Sequence, residues 1–251
     1  MSQLPNTAGP GPHPGAPRHF HSELSELKAK LLTMSAEAQL ALGTALDAVL
    51  KRDGTRARRV IGGDSAIDAL ELEIEELVVR LLATQQPMAR DLRLLVAASK
   101  IANDLERVGD HAVNIAQSAE RLLAHREVTP EPELVEMARQ ARAMLSGALD
   151  AFVRGDSALG RDICGRDDAV DALNRSIFRI LLTHMMEDQR SIGAGMELFL
   201  VSRNLERVAD LATNIAEDVV FLVEGRTIKH HAEETTLPPG AAPGTRGSRT
   251  A

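Results

Sequence analysis

Tryptophan and tyrosine are absent from this 251-residue chain, and there are only five phenylalanines. Any core must therefore be built from Leu, Ala, Val, Ile and Met. That palette favours helices, because strands recruit aromatic and β-branched side chains. Apolar residues make up 44% of the chain, enough for a true core. Cysteine is nearly absent too. Cys164 stands alone, which excludes an intrachain disulfide and suits a reducing compartment with an inert, buried thiol. An excess of positive charge is missing: 29 Lys and Arg face 36 Asp and Glu, for a formal charge of −7. Nucleic-acid binding rests on cations that neutralise phosphates, so this balance argues against it and suits cations or basic partners. No run approaches the roughly 20 apolar residues of a membrane span, and the first residues lack the regions of a signal peptide. A cytoplasmic location is expected.

Catalytic signatures are missing as well. There is no Gly-rich phosphate loop, no G-x-S-x-G and no H-E-x-x-H. The Glu-x-x-His of carboxylate di-iron bundles is also absent, which argues against oxygen-activating chemistry. No residue is assigned a catalytic role.

Proline is scarce where it matters. Eight of eleven prolines fall in the first 17 or last 15 residues, beside Gly, Ser, Thr and Ala. Such stretches bury too little apolar surface to offset ordering entropy, so residues 1–21 and 231–251 read as disordered tails. His230 and His231 read as solvated. Pro87, Pro130 and Pro132 mark helix boundaries in the interior.

Between these boundaries the apolar residues recur at helical spacing. Ser22 reads as the N-cap of a first helix that ends at Asp53-Gly54. A second helix is expected over 55–86, weakened or kinked at Gly62-Gly63. A third is expected over 88–126. The same plan then repeats. Ala45-Leu46-Asp47-Ala48 matches Ala148-Leu149-Asp150-Ala151, and Asp64-x-x-x-Asp68-Ala69-Leu70 matches Asp167-x-x-x-Asp171-Ala172-Leu173, both at an offset of 103. The third helix matches at 100: Leu105-Glu106-Arg107-Val108-Gly109-Asp110 and Asn114-Ile115-Ala116 return as Leu205-Glu206-Arg207-Val208-Ala209-Asp210 and Asn214-Ile215-Ala216. Three residues are lost near 189–195, where a turn tolerates them. The fold class that follows is all-α, two tandem three-helix bundles made by internal duplication. Residues 22–127 form the first repeat and 128–230 the second.

Glu106, Asp110 and Asn114 share one helix face, as do Glu206, Asp210 and Asn214. At about 100° per residue this stripe falls on a flank of the apolar face, at the bundle surface or in a groove. Each repeat adds a second pair on the preceding helix, Asp64 with Asp68 and Asp167 with Asp171. Two readings stay open. Carboxylates belong on surfaces, so each stripe could be a solvated face. Acids at i, i+4 repel, and these pairs recur at the same repeat positions while Glu71 and Glu75 drift to Asn174 and Phe178. A hard cation such as Mg, Mn, Ca or iron would relieve that repulsion. His111 projects away from the stripe and reads as a surface or interface residue. Arg107 and Arg207 read as ion-pair partners of a neighbouring helix, or as a phosphate or partner contact.

Asp-x-x-x-Asp followed by Glu-Arg-Val-x-Asp-x-x-x-Asn-Ile-Ala, twice in tandem, resembles the PhoU family of bacterial phosphate-regulatory proteins. The segments Gln85-Gln86-Pro87-Met88-Ala89-Arg90-Asp91-Leu92-Arg93 and Gly225-Arg226-Thr227-Ile228-Lys229-His230 add to the resemblance, which spans residues 22–230. It implies a negative regulator of phosphate uptake and of the phosphate-starvation response. Its implied partners are the ATPase subunit of a phosphate ABC transporter and a phosphate-sensing histidine kinase, and it implies a homodimer. It also implies multinuclear metal on the acidic motifs: iron or zinc, or Mg or Mn. The implied ligands are Asp64, Asp68, Glu106 and Asp110 in one repeat and Asp167, Asp171, Glu206 and Asp210 in the other, assisted by Asn114 and Asn214. The competing reading is a metal-dependent enzyme on a carboxylate-lined bundle.

Overall fold

The computed structural model describes residues 16–126 and 128–228, and every structural statement below concerns these. Most of both proline-rich stretches, with His230, His231 and the close of the Gly225–His230 segment, lies outside them. Eight α-helices follow in order: α1 (Ala16–Lys51), α2 (Gly54–Ile61), α3 (Ser65–Thr84), α4 (Ala89–Leu122), α5 (Pro132–Arg154), α6 (Ser157–Cys164), α7 (Asp167–Glu187) and α8 (Ile192–Glu224). A 3₁₀ turn, Gln189–Ser191, precedes α8. Among the described residues there is no β-strand.

The second rod of each repeat is broken, so α2 with α3 and α6 with α7 each count once. That gives six rods in two three-helix bundles. The breaks have local causes. Asp53 caps α2 by accepting from the backbone N–H groups of Thr55 and Arg56, and Asp156 caps α6 by accepting from that of Leu159. Gly62 and Gly165 close these short helices. The expected kink at Gly62-Gly63 is therefore a full break. The register change between repeats falls at the 3₁₀ turn, within 189–195.

One boundary differs from expectation. Helix α1 begins at Ala16, so Ser22 is no N-cap and the boundary at residue 22 falls inside a helix. Proline is tolerated in a first turn, where its missing N–H would be unpaired anyway, so Pro17 does not stop it. Phe20 packs against the core and His19 pairs with Glu23 at 3.1 Å. Arg52, past the end of α1, takes a left-handed φ of 51°. Its guanidinium offsets that strain by donating to the carbonyls of Leu122 and His125 at 2.9 and 3.0 Å. The matching residue of the second repeat is Gly155, at φ 62°, which needs no such compensation.

The core sits along α4 and α8, which pack on each other across the two repeats. Their buried faces include Ile101, Leu105, Val108, Ala112 and Ile115 against Val201, Leu205, Val208, Ala212 and Ile215. Polar clips fix this seam. Lys100 donates to Asp218 at 3.2 Å, Arg121 donates to Glu197 at 2.8 Å, and His111 Nδ1 meets Asn204 Oδ1 at 2.9 Å. His111 is thus an interface residue. Asp218 is only 2% exposed, so its carboxylate depends on Lys100. Lys100→Met is expected to destabilise the protein by about 1–3 kcal/mol, because a buried acceptor loses its donor. Urea unfolding checks this, and Lys100→Met with Asp218→Met should regain part of the loss.

Candidate metal centre

The start of α3 and the middle of α4 run side by side. That proximity comes from a residue with no side chain. A Cβ on buried Gly109 would stand 3.0 Å from Ile67 Cδ1 and 3.6 Å from Asp64 Oδ1. Across this close approach Asp64 and Asp68 face Glu106 and Asp110. The same arrangement recurs where α7 meets α8, with Asp167 and Asp171 facing Glu206 and Asp210.

The electrostatics record these neighbours. Glu106 is pushed up to about 6, first by burial and then by Asp110, Glu71, Asp68 and Asp64. Burial, then Asp68 and Asp110, raises Asp64 above the ordinary carboxylate range. In the second repeat burial pushes Asp167 up to about 6, helped by Asp210, Asp171, Asp168 and Glu206. Each cluster therefore gathers four expected carboxylates and one more. Glu71 joins the first and Asp168 the second. The signal for Glu71 was its spacing, seven residues after Asp64 and three after Asp68, which keeps it on their face. Its replacement by Asn174 in the second repeat hid it. Asn174 is buried there and accepts from the Ser202 hydroxyl at 3.0 Å.

The stripe lies at the bundle surface, as its helical projection requires. Asp64, Glu106, Asp167, Asp171, Glu206, Asp210 and Asn214 are half-buried, and Asp68, Asp110 and Asn114 are exposed. Asn114 and Asn214 extend the stripe by a turn, and no hydrogen bond ties them to the carboxylates among the described residues. Arg107 and Arg207 do not reach a neighbouring helix. Arg107 lies 3.9 Å from Asp104 and Arg207 lies 2.8 Å from Asp210, each three residues along its own helix.

The two clusters differ in compensation. Arg203 pairs with Glu206 at 2.6 Å, Arg207 with Asp210 at 2.8 Å, and Arg175 with Asp171 at 3.7 Å. In the first repeat Asn103 stands in place of Arg203 and donates to Glu71 at 3.4 Å. Among the described residues no Lys or Arg pairs with Asp64, Asp68, Glu106 or Asp110. Part of the acidity has a local rationale, since Asp68, Asp167 and Asp168 lie in first turns, where the helix dipole favours negative charge. Asp64 stands at an N-cap position, yet its side chain caps nothing.

The donor set fits a hard cation. It is all oxygen, and it includes one buried carboxylate oxygen, Asp167 Oδ1, with no hydrogen-bond partner. Among the described residues, no three Asp, Glu, His or Cys side chains converge on one coordination point. Holding a metal would therefore require the carboxylates to turn inward from these positions. Cys164 offers nothing to such a centre: burial first, then Glu217, pushes its thiol up to about 11.

The comparisons with known proteins agree with the duplication. The PhoU domain model matches twice, over residues 31–119 and 134–219. A phosphate-specific transport system accessory protein PhoU homolog of Clostridium acetobutylicum is 37% identical over 210 residues, covering 83% of this chain and 96% of that one. Its counterpart in Caulobacter vibrioides is 39% identical over 215 residues, covering 84% and 92%. The crystal structure of PhoU from Pseudomonas aeruginosa superposes with a TM-score of 0.80 at 36% identity, over 82% of this chain and all of that one. The phosphate transport system regulatory protein PhoU from Streptococcus pneumoniae gives 0.76 at 31%, over 83% and 98%.

Proposed function

The chain belongs to the PhoU family, and from that premise we propose that it restrains phosphate uptake and the phosphate-starvation response when phosphate is plentiful. It does so as an adaptor between the ATPase subunit of a phosphate ABC transporter and a sensor histidine kinase, without chemistry of its own. Relatives that cover most of this chain carry the words phosphate-specific transport system accessory protein in their names, which supports the reading.

The observation that carries the adaptor role is a duplicated apolar surface. Val79, Leu82, Leu92 and Val96 are exposed where α3 and α4 meet at the end away from the carboxylates. Leu182, Met186, Ile192 and Met196 are exposed at the related place on α7 and α8. Scattered exposed apolar residues need no explanation, but a patch repeated in both bundles suits protein contact. The acidic clusters would bind metal ions through Asp64, Asp68, Glu106 and Asp110 and through Asp167, Asp171, Glu206 and Asp210. Bound cations there would set the charge of the opposite end of each helix pair. No helix among the described residues is long and apolar enough to cross a membrane, so the reading places contact with the membrane in the partners.

Deleting the gene from its source organism tests the proposal. Starvation genes should switch on at high phosphate, and the wild-type chain should restore repression. A Val79→Ser, Leu82→Ser, Leu92→Ser, Val96→Ser variant should not restore it, and should lose binding to the transporter ATPase or the kinase. Unchanged expression in the deletion strain would overturn the adaptor reading.

A further inference from the structure

The seam between the bundles has two ends related by the duplication, and they are finished differently. At one end the chain leaving α4 covers the seam. Arg52 holds it through the carbonyls of Leu122 and His125. The His125 ring lies against Gly193 in the first turn of α8, so closely that a Cβ there would collide with it. Val128 packs on the core, and Glu131 lies 3.4 Å from His184.

At the other end the related position is an open groove of about 760 Å³. Leu222 and Val223 stand there where Leu122 and Leu123 stand at the first end, and Gly155 stands where Arg52 does. The groove runs between the starts of α1 and α4 and the ends of α5 and α8. Its floor is apolar, with Leu24, Leu94 and Phe152. Lys28, Arg90 and Arg154 make it basic in an acidic protein, against one acid, Asp91. Lys28 and Arg90 have no acidic partner among the described residues. Arg154 has only Asp150 of its own helix, at 3.6 Å.

The chain leaving α8 starts from this groove. Val223 lines it, Gly225 turns the backbone at φ 72°, and residues 229–251 begin a few positions on. Within it, residues 232–237 carry Glu233, Glu234 and Leu237, two adjacent acids and a large apolar side chain, with Lys229 before them and Arg246 and Arg249 after. From Gly225, the eight residues to Glu233 reach at most roughly 26 Å when extended. We propose that the segment around Glu233 to Leu237 docks in this groove. Its carboxylates meet Lys28, Arg90 and Arg154, and Leu237 covers the apolar floor. It thereby takes the place at this end that the linker between the repeats takes at the other. The tether supplies an effective concentration of about millimolar, so even a weak contact is populated. A partner segment of similar acidic and apolar character would have to displace it.

Hydrogen exchange on the full chain tests this, beside a chain ending at His231 and a Glu233→Lys, Glu234→Lys variant. Amides of residues 21–28 and 152–156 should exchange several-fold faster in both altered proteins. A synthetic peptide of residues 229–240 should restore protection to the shortened chain. Restoring complementarity by Lys28→Glu with Arg90→Glu should recover protection in the Glu233→Lys, Glu234→Lys background. Equal exchange in all three proteins would overturn the proposal. So would protection of the full chain that fades on dilution, which would assign the contact to a second copy.

Discussion

Replacing Asp64, Asp68, Glu106 and Asp110 with Asn or Gln should make the metal-free protein more stable and remove the first cluster's share of its response to added divalent metal. The two effects have opposite signs and one cause. With Glu71, five carboxylates share this face, and among the described residues the four to be replaced have no cationic partner. Each i, i+4 pair of like charges costs about 0.2–0.5 kcal/mol, so relieving several gains about 1 kcal/mol. For a chain of this size that is a rise in Tm of about 2–4 °C. A cation bound at the first cluster, supplied at one hundred times its Kd, would stabilise the wild type by about 2.7 kcal/mol, a larger shift that the variant loses while keeping that of the second cluster. Inductively coupled plasma mass spectrometry and thermal melts with Mn²⁺, Zn²⁺ or Fe²⁺ read both effects. Equal metal content and equal melting shifts in the two proteins would reduce the stripe to a polar face.

The pH dependence follows from the same charges. Glu106 rises from 4.5 to about 6 on folding, and Asp167 from 3.8 to about 6. A raised folded value means that the native state binds more protons than the unfolded chain across that interval. Stability from these groups is therefore fully present below the unfolded values and is lost as pH rises through about 6. Metal-free wild type should melt at higher temperature near pH 5 than near pH 7 from this source. The four-residue variant should lose the Glu106 part of that slope and keep the Asp167 part. In the second repeat neutralisation behaves differently. Asp210→Asn breaks the pair with Arg207, which is solvent-exposed and worth only about 0–1 kcal/mol.

The parts of this architecture that depend on periodicity were legible from residues alone. Helical spacing, two offsets and the boundary prolines give six rods in two bundles. Those that depend on three-dimensional neighbours were not. Arg207 reads equally well as a cross-helix partner and as a partner of its own helix, because an i, i+3 pair is visible in sequence but carries no information about which choice wins. Glu71 falls outside the pattern that the repeats share, because the second repeat has Asn174 there. The exchange of Asn103 for Arg203 is visible in the sequence, but the structure supplies its consequence: Arg203 pairs with Glu206 in one cluster while Asn103 leaves the other bare. Duplication points to the common frame, whereas the difference between the two clusters lies in the positions that diverged. The start of α1 escaped for another reason. Proline reads as a breaker, yet Pro17 falls in a first turn, where it breaks nothing.

Gly109→Leu should disable the first cluster while leaving every carboxylate in place. Gly109 is buried where α4 passes the start of α3, and the first atoms a side chain would meet belong to Ile67 and then Asp64. Alanine there would press on Ile67 Cδ1 at 3.0 Å, the far end of a flexible side chain. The second repeat already carries fully buried Ala209 at the matching position. Gly109→Ala should thus be near neutral, since helix propensity returns up to about 1 kcal/mol against that contact. Leucine has no such room. Overpacking should cost about 1–3 kcal/mol and push Asp64 and Asp68 away from Glu106 and Asp110. The expected pattern is a folded protein that keeps the metal response of the second repeat and loses that of the first. Asp167→Asn with Glu206→Gln, combined with Gly109→Leu, should then remove metal altogether. If Gly109→Leu alone leaves metal content at the wild-type level, the spacing of α3 from α4 does not control binding. The ligands would then have to be sought on α4 alone, at Glu106, Asp110 and Asn114.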